Sequence, residues 1–127
     1  MNPGSPLTPF GQILRDAVEA TPGAVGGAFA DSQGELVDSF ATWDRHEWAV
    51  LTAHYGVVMA QLSACYGTWH YGGPEYFIAQ HAKLDVVVWA LESGYYVLLG
   101  VTEPGAPLAR ALESLRQAAV AITREMA

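Results

Sequence analysis

The chain has 127 residues, 51% of them hydrophobic, and 13 acidic against 6 basic side chains give a formal net charge of -7. That length suits one domain with a single core, expected to span 1–127 with an ordered part at about 9–126. Arg15, Arg45, Lys83, Arg110, Arg116 and Arg124 are scattered along the chain, which excludes the clustered basic surface that nucleic acid or an anionic membrane requires.

The opening segment MNPGSPLTPFGQILRDAVEA has neither a cationic start nor a continuous apolar stretch, so no secretory signal is expected. Thr8 before Pro9 has the chemistry of a helix start, and Phe10, Ile13, Leu14, Ala17 and Val18 follow at helical spacing. Pro22 and Gly23 end this helix. AVGGAFAD then reads as a strand, Asp31 to Gly34 as a turn with Gly34 at positive φ, and ELVDSFA as the returning strand. Asp44 as N-cap, Glu47 closing a capping box and Trp43 stapled to Trp48 mark a second helix, which runs to about Tyr66 before Gly67. Beyond the loop TWHYGGP, the segments EYFIAQHA, KLDVVVWALE and YYVLLGVT read as three strands. The last two are apolar on both faces, which requires helices on each side of the sheet. EPGAP breaks the chain, and Leu108, Leu112, Leu115, Ala119 and Ile122 set the stripe of a final amphipathic helix. The order αββαβββα predicts an α/β protein of the α+β type, with a largely antiparallel sheet between helical layers.

The second helix poses the functional question, because no Asp, Glu, Lys or Arg lies between Glu47 and Glu75. Leu51, Tyr55, Val58, Leu62 and Cys65 form a stripe that is expected to dock on the sheet, while Trp48, Val50, Val57, Met59 and Ala60 extend the apolar surface beyond it. A membrane span needs about 20 mainly apolar residues, but Thr52, His54, Gln61 and Ser63 interrupt this run and its flanks carry no Lys or Arg clamp. A surplus of uncharged surface on such a domain marks an interface, and self-association needs only one such patch.

Catalytic and metal motifs are weak by comparison. His46, His54, His70 and His81 are never three or four residues apart, so the paired helix-face metal spacing is missing. Asp44 and Glu47 are accounted for by capping, and Gly23, Gly26 and Gly27 open a strand and read as close helix packing rather than as a phosphate cradle. The lone Cys65 cannot form an internal disulfide, fits a reducing cytoplasmic setting, and reads as a buried, inert thiol. We expect no catalytic residue, no metal and no cofactor.

Taken in order, TPGAVGGAFADSQGELV, DRHEWAVLTAHYGVVMAQL and EYFIAQHAKLDVVVWALESGYYVLLGVTEPGAPLARALESL resemble the Roadblock family of dynein light chains and its bacterial MglB-like members. The resemblance covers about Phe10 to Ile122 and implies a single Roadblock-like domain. It implies a three-layer α-β-α fold with a five-stranded antiparallel sheet of order 2-1-5-4-3, one helix on one face and two on the other. It also implies a homodimer joined through the central helices and the third strands, with Trp48, Leu51, Tyr55, Val58, Met59, Leu62, Tyr76 and Ile78 at the interface. The implied function is a non-enzymatic adaptor for a small Ras-like GTPase, with Arg45, Trp69 and Tyr71 as partner-binding candidates. A profilin-like or GAF-like small-molecule sensor, closed by the aromatic loop, and a purely structural assembly subunit are the alternatives.

Overall fold

A computed structural model describes residues 7–67, 69–102 and 107–127, so Thr68 and most of the EPGAP break lie outside the described residues. The elements are α1 (Pro9–Glu19), β1 (Ala24–Ala30), β2 (Leu36–Ala41), α2 (Arg45–Tyr66), β3 (Tyr76–Gln80), β4 (Asp85–Ala90), β5 (Tyr96–Val101) and α3 (Leu108–Met126). The strands form one five-stranded sheet in the order β2-β1-β5-β4-β3, antiparallel throughout.

Local chemistry fixes the element ends. Thr8 Oγ1 accepts from the Gly11 amide at 3.0 Å with Pro9 as the first helical residue, so α1 starts where the hydroxyl and the fixed φ predict. Gly34 has φ 82°, and Asp31 Oδ1 accepts from Gln33 N and Glu35 N at 2.8 and 3.1 Å, closing the β1–β2 turn. Asp44 caps α2 by accepting from Glu47 N at 3.1 Å, and Trp43 meets Trp48 edge to face at 5.7 Å.

Alternation along the three central strands sorts the core into two layers. Phe29, Val87, Val97 and Leu99 point toward α1 and α3 and pack with Leu14, Val18, Leu115 and Ile122. Ala28, Ala30, Val86, Val88, Tyr96 and Leu98 point the other way and pack under α2 with Trp48 and Tyr55. This is why β4 and β5 carry apolar residues at successive positions. Each fully buried large apolar side chain contributes roughly 1.5–3 kcal/mol, so both layers are needed.

The face that α2 turns to the sheet differs from the expected stripe. Trp48, Thr52 and Tyr55 are its buried residues, with Met59 half-buried behind them, whereas Leu51, Val58 and Leu62 lie on the flank and Cys65 is exposed. Glycines determine the rotation. Gly26 and Gly100 pair across β1 and β5, and a Cβ on either would stand 2.9 Å from the Trp48 ring. The indole therefore rests on bare backbone and donates its Nε1 proton to Gly27 O at 3.1 Å. Farther along the helix, a Cβ on Gly56 would meet Gly34 Cα at 2.8 Å, so α2 also touches the β1–β2 turn through two glycines. Tyr96 completes the contact by donating its hydroxyl to Thr52 O at 2.7 Å.

Candidate interaction surface

β3 is the outermost strand at one edge, and its burial alternates: Phe77 and Ala79 are half-buried, whereas Tyr76, Ile78 and Gln80 are exposed. α1 lies over β1 and β2, and α3 over β4 and β5, so the strand stands beyond α3. Ala90 N donates to Glu75 O and His81 N to Leu84 O, both at 2.8 Å, which sets the phase of the β3–β4 ladder. Phe77 and Ala79 therefore direct their amides and carbonyls toward β4, and Tyr76, Ile78 and Gln80 direct theirs toward the free edge. The five-residue register has no bulge, and Tyr76 to Ala82 contains no Asp, Glu, Lys or Arg.

Beside this edge, α2 and β3 enclose an open groove of about 530 Å³. Leu51, His54, Tyr55, Val58 and Leu62 line it from the helix, and Phe77 and Ala79 from the strand, with His81 just past the strand's end. The Tyr55 hydroxyl is hydrogen-bonded to His81 Nε2, tying the helix to the end of the strand, and burial pushes the phenol above its ordinary pKa. On the opposite sheet face Tyr76 stacks on Trp89 with ring centres 5.2 Å apart and planes 12° from parallel.

The residues proposed from sequence for an interface divide into three groups. Leu51, Val58 and Leu62 line the groove, and Tyr76 and Ile78 lie exposed on the edge strand itself. Met59 is half-buried against the sheet, and Tyr55 is 5% exposed, meeting the groove only along one side. Trp48 is a correction: at 1% exposure it belongs wholly to the chain's own core and offers nothing to a partner. Cys65 is a second correction, since it lies on the outer side of α2 near its end. The groove also contains four residues that the sequence reading did not assign to it, His54, Phe77, Ala79 and His81. The alternation of YFIAQHA could have indicated the last three, because residues two apart share a strand face.

The partner candidates are dispersed. Trp69 packs edge to face on Tyr66 at 4.7 Å yet is 58% exposed, and Tyr71 stands in solvent at 91% exposure. Arg45 is exposed at the start of α2, where it lines a cleft of about 220 Å³ beside β2, the opposite edge of the sheet. Among the described residues, no cluster of His, Cys, Asp and Glu could hold a metal ion, and no helix is long and apolar enough to cross a membrane.

No protein-family model matches the sequence, and no curated protein matches it either. Solved structures do. MglB from Myxococcus xanthus superposes with a TM-score of 0.81 at 13% identity, covering 96% of this chain and 98% of that one. The gliding protein MglB of Thermus thermophilus gives 0.81 at 19% identity, covering 98% and 94%. A Roadblock/LC7 domain from Streptomyces avermitilis gives 0.79 at 11% identity, covering 91% and 95%. The class is thus a three-layer α+β domain with a five-stranded antiparallel sheet. Within that class the chain has the fold of the Roadblock/LC7 and MglB structures, so the resemblance read from the sequence holds at the level of fold.

Proposed function

We propose that this protein is a homodimeric adaptor that regulates a small Ras-like GTPase and has no catalytic activity of its own. The observation that carries the dimer is the union of an unbulged, uncharged strand edge with an apolar groove directly beside it. Two copies related by a twofold axis join β3 to β3, extend the sheet, and fill each other's grooves with the flanks of α2. The fold shared with MglB supports the regulatory class. Regulation proceeds by docking, which favours one arrangement of the GTPase switch segments over the other. Trp69 and Tyr71 stand in solvent rather than over a small-molecule cleft, so the sensor reading gains no support from the loop.

Two measurements test this. Sedimentation of the purified chain is expected to give a dimer that Val58→Glu dissociates, because the variant places an unpaired charge in the seam. Affinity capture from the native lysate with a GTP analogue or GDP is expected to enrich a Ras-like GTPase in one nucleotide state only. A monomeric wild type defeats the dimer, and equal or absent GTPase recovery under both nucleotides defeats the regulatory function.

A further inference from the structure

The two edges of the sheet are finished differently. Thr42 N donates to Val25 O at 2.8 Å, which sets the β1–β2 phase so that Ser39 and Ala41 turn their backbone groups to the free side of β2. Unlike the even ladder of β3, this strand has a register shift: Phe29 pairs with Asp38 and Ala30 with Leu36, leaving Val37 as the extra residue. The Asp38 carboxylate then does two things. Its Oδ1 accepts from the outward Ser39 amide at 2.8 Å, and its Oδ2 accepts from the Thr8 hydroxyl at the start of α1. One of the two outward amides that an added strand would use is thus already bonded, and a negative charge stands beside it.

We infer that Asp38 is an edge stop, which prevents strand addition at β2 and so confines sheet extension to β3. This inference rests on the dimer proposed above and adds the reason for its closure. A sheet open at both edges would grow head to tail without limit, whereas one open edge per copy closes after a single twofold contact. The bulge at Val37 contributes by breaking the spacing that a flat neighbour requires, and the block itself runs through Oδ1 and the Ser39 amide, independent of the bond that ties Oδ2 to Thr8.

Sedimentation velocity across a concentration series tests the inference with three variants of the full chain. Asp38→Ala is expected to form species larger than the wild type, at least doubling the weight-average mass at the highest concentrations. Asp38→Ala combined with Ser39→Pro, which deletes the outward N–H, is expected to return to the wild-type distribution. Thr8→Ala, which loosens α1 but leaves the carboxylate beside the edge, is expected to sediment as wild type. An unchanged Asp38→Ala distribution overturns the inference. So does growth that survives Ser39→Pro, or equal growth in Thr8→Ala, since either assigns the assembly to loosened packing. Should Asp38→Ala lose its native circular dichroism, Asp38→Thr, a strand former without a carboxylate, takes its place under the same expectations. A wild type that sediments as a monomer counts against the dimer alone, because Asp38→Ala must still then move to larger species.

Discussion

A single indole determines how the middle helix meets the sheet. Trp48 is the largest fully buried side chain, and it lies over Gly26 and Gly100, where any Cβ would overlap it. We expect Gly100→Ala to destabilise the chain by about 1–3 kcal/mol through overpacking, read as a lower urea midpoint at unchanged slope. Tyr96 gives a prediction of a different kind. Burial, with a smaller contribution from the negative charge of Asp31, pushes its phenol from 10.0 up to about 12. The folded chain thus holds this proton more tightly than the unfolded one. The associated stability is intact below about pH 10 and declines as the pH rises toward 12, because unfolded chains ionise first. Tyr96→Phe is expected to flatten that alkaline decline in urea titrations. At neutral pH it is expected to lose about 1 kcal/mol with the hydrogen bond to Thr52.

At the scale of the element, helix ends and turns were legible in the sequence because their signals are local. Asp44, Thr8 and Gly34 each act through neighbours within a few residues, and each adopts the role its chemistry predicts. Asp44→Ala is expected to cost about 1 kcal/mol, measured by thermal or urea unfolding, because it orphans the Glu47 amide. The rotation of α2 was not legible. Apolar residues surround that helix, so helical spacing alone selects no face, and of the expected stripe of Leu51, Tyr55, Val58, Leu62 and Cys65 only Tyr55 is buried on the sheet. What distinguishes the faces is the fit of the Trp48 ring on Gly26 and Gly100 and of Gly56 on Gly34, residues far apart in sequence, and that complementarity exists only after the sheet has formed. Cys65 was misplaced for the same reason. The edge strand was partly legible: its lack of charge was plain, but the place of His81 in the groove, just past the end of the strand, required the contact with Tyr55.

At the scale of the whole molecule, the layers leave one margin unfinished. α3 covers β4 and β5, and β3 carries Tyr76 and Ile78 into solvent at 43% and 38% exposure. Ile78→Pro is a selective probe, since the Ile78 amide faces outward and its loss leaves the β3–β4 ladder intact. We expect this variant to retain native circular dichroism yet weaken self-association at least tenfold, measured by sedimentation equilibrium. Leu62→Glu is expected to do the same from the helix side of the groove, and combining the two should add little once the contact is already lost.

The glycine contacts beneath α2 have a consequence for how such a protein can change over time. Where helix and sheet touch through Gly26, Gly56 and Gly100, even one methyl group is too many, so those places tolerate almost no drift. On the proposed reading, the outer flank of the same helix answers only to the partner it meets. A scaffold pinned at so few points can exchange its companions freely while its architecture stays put.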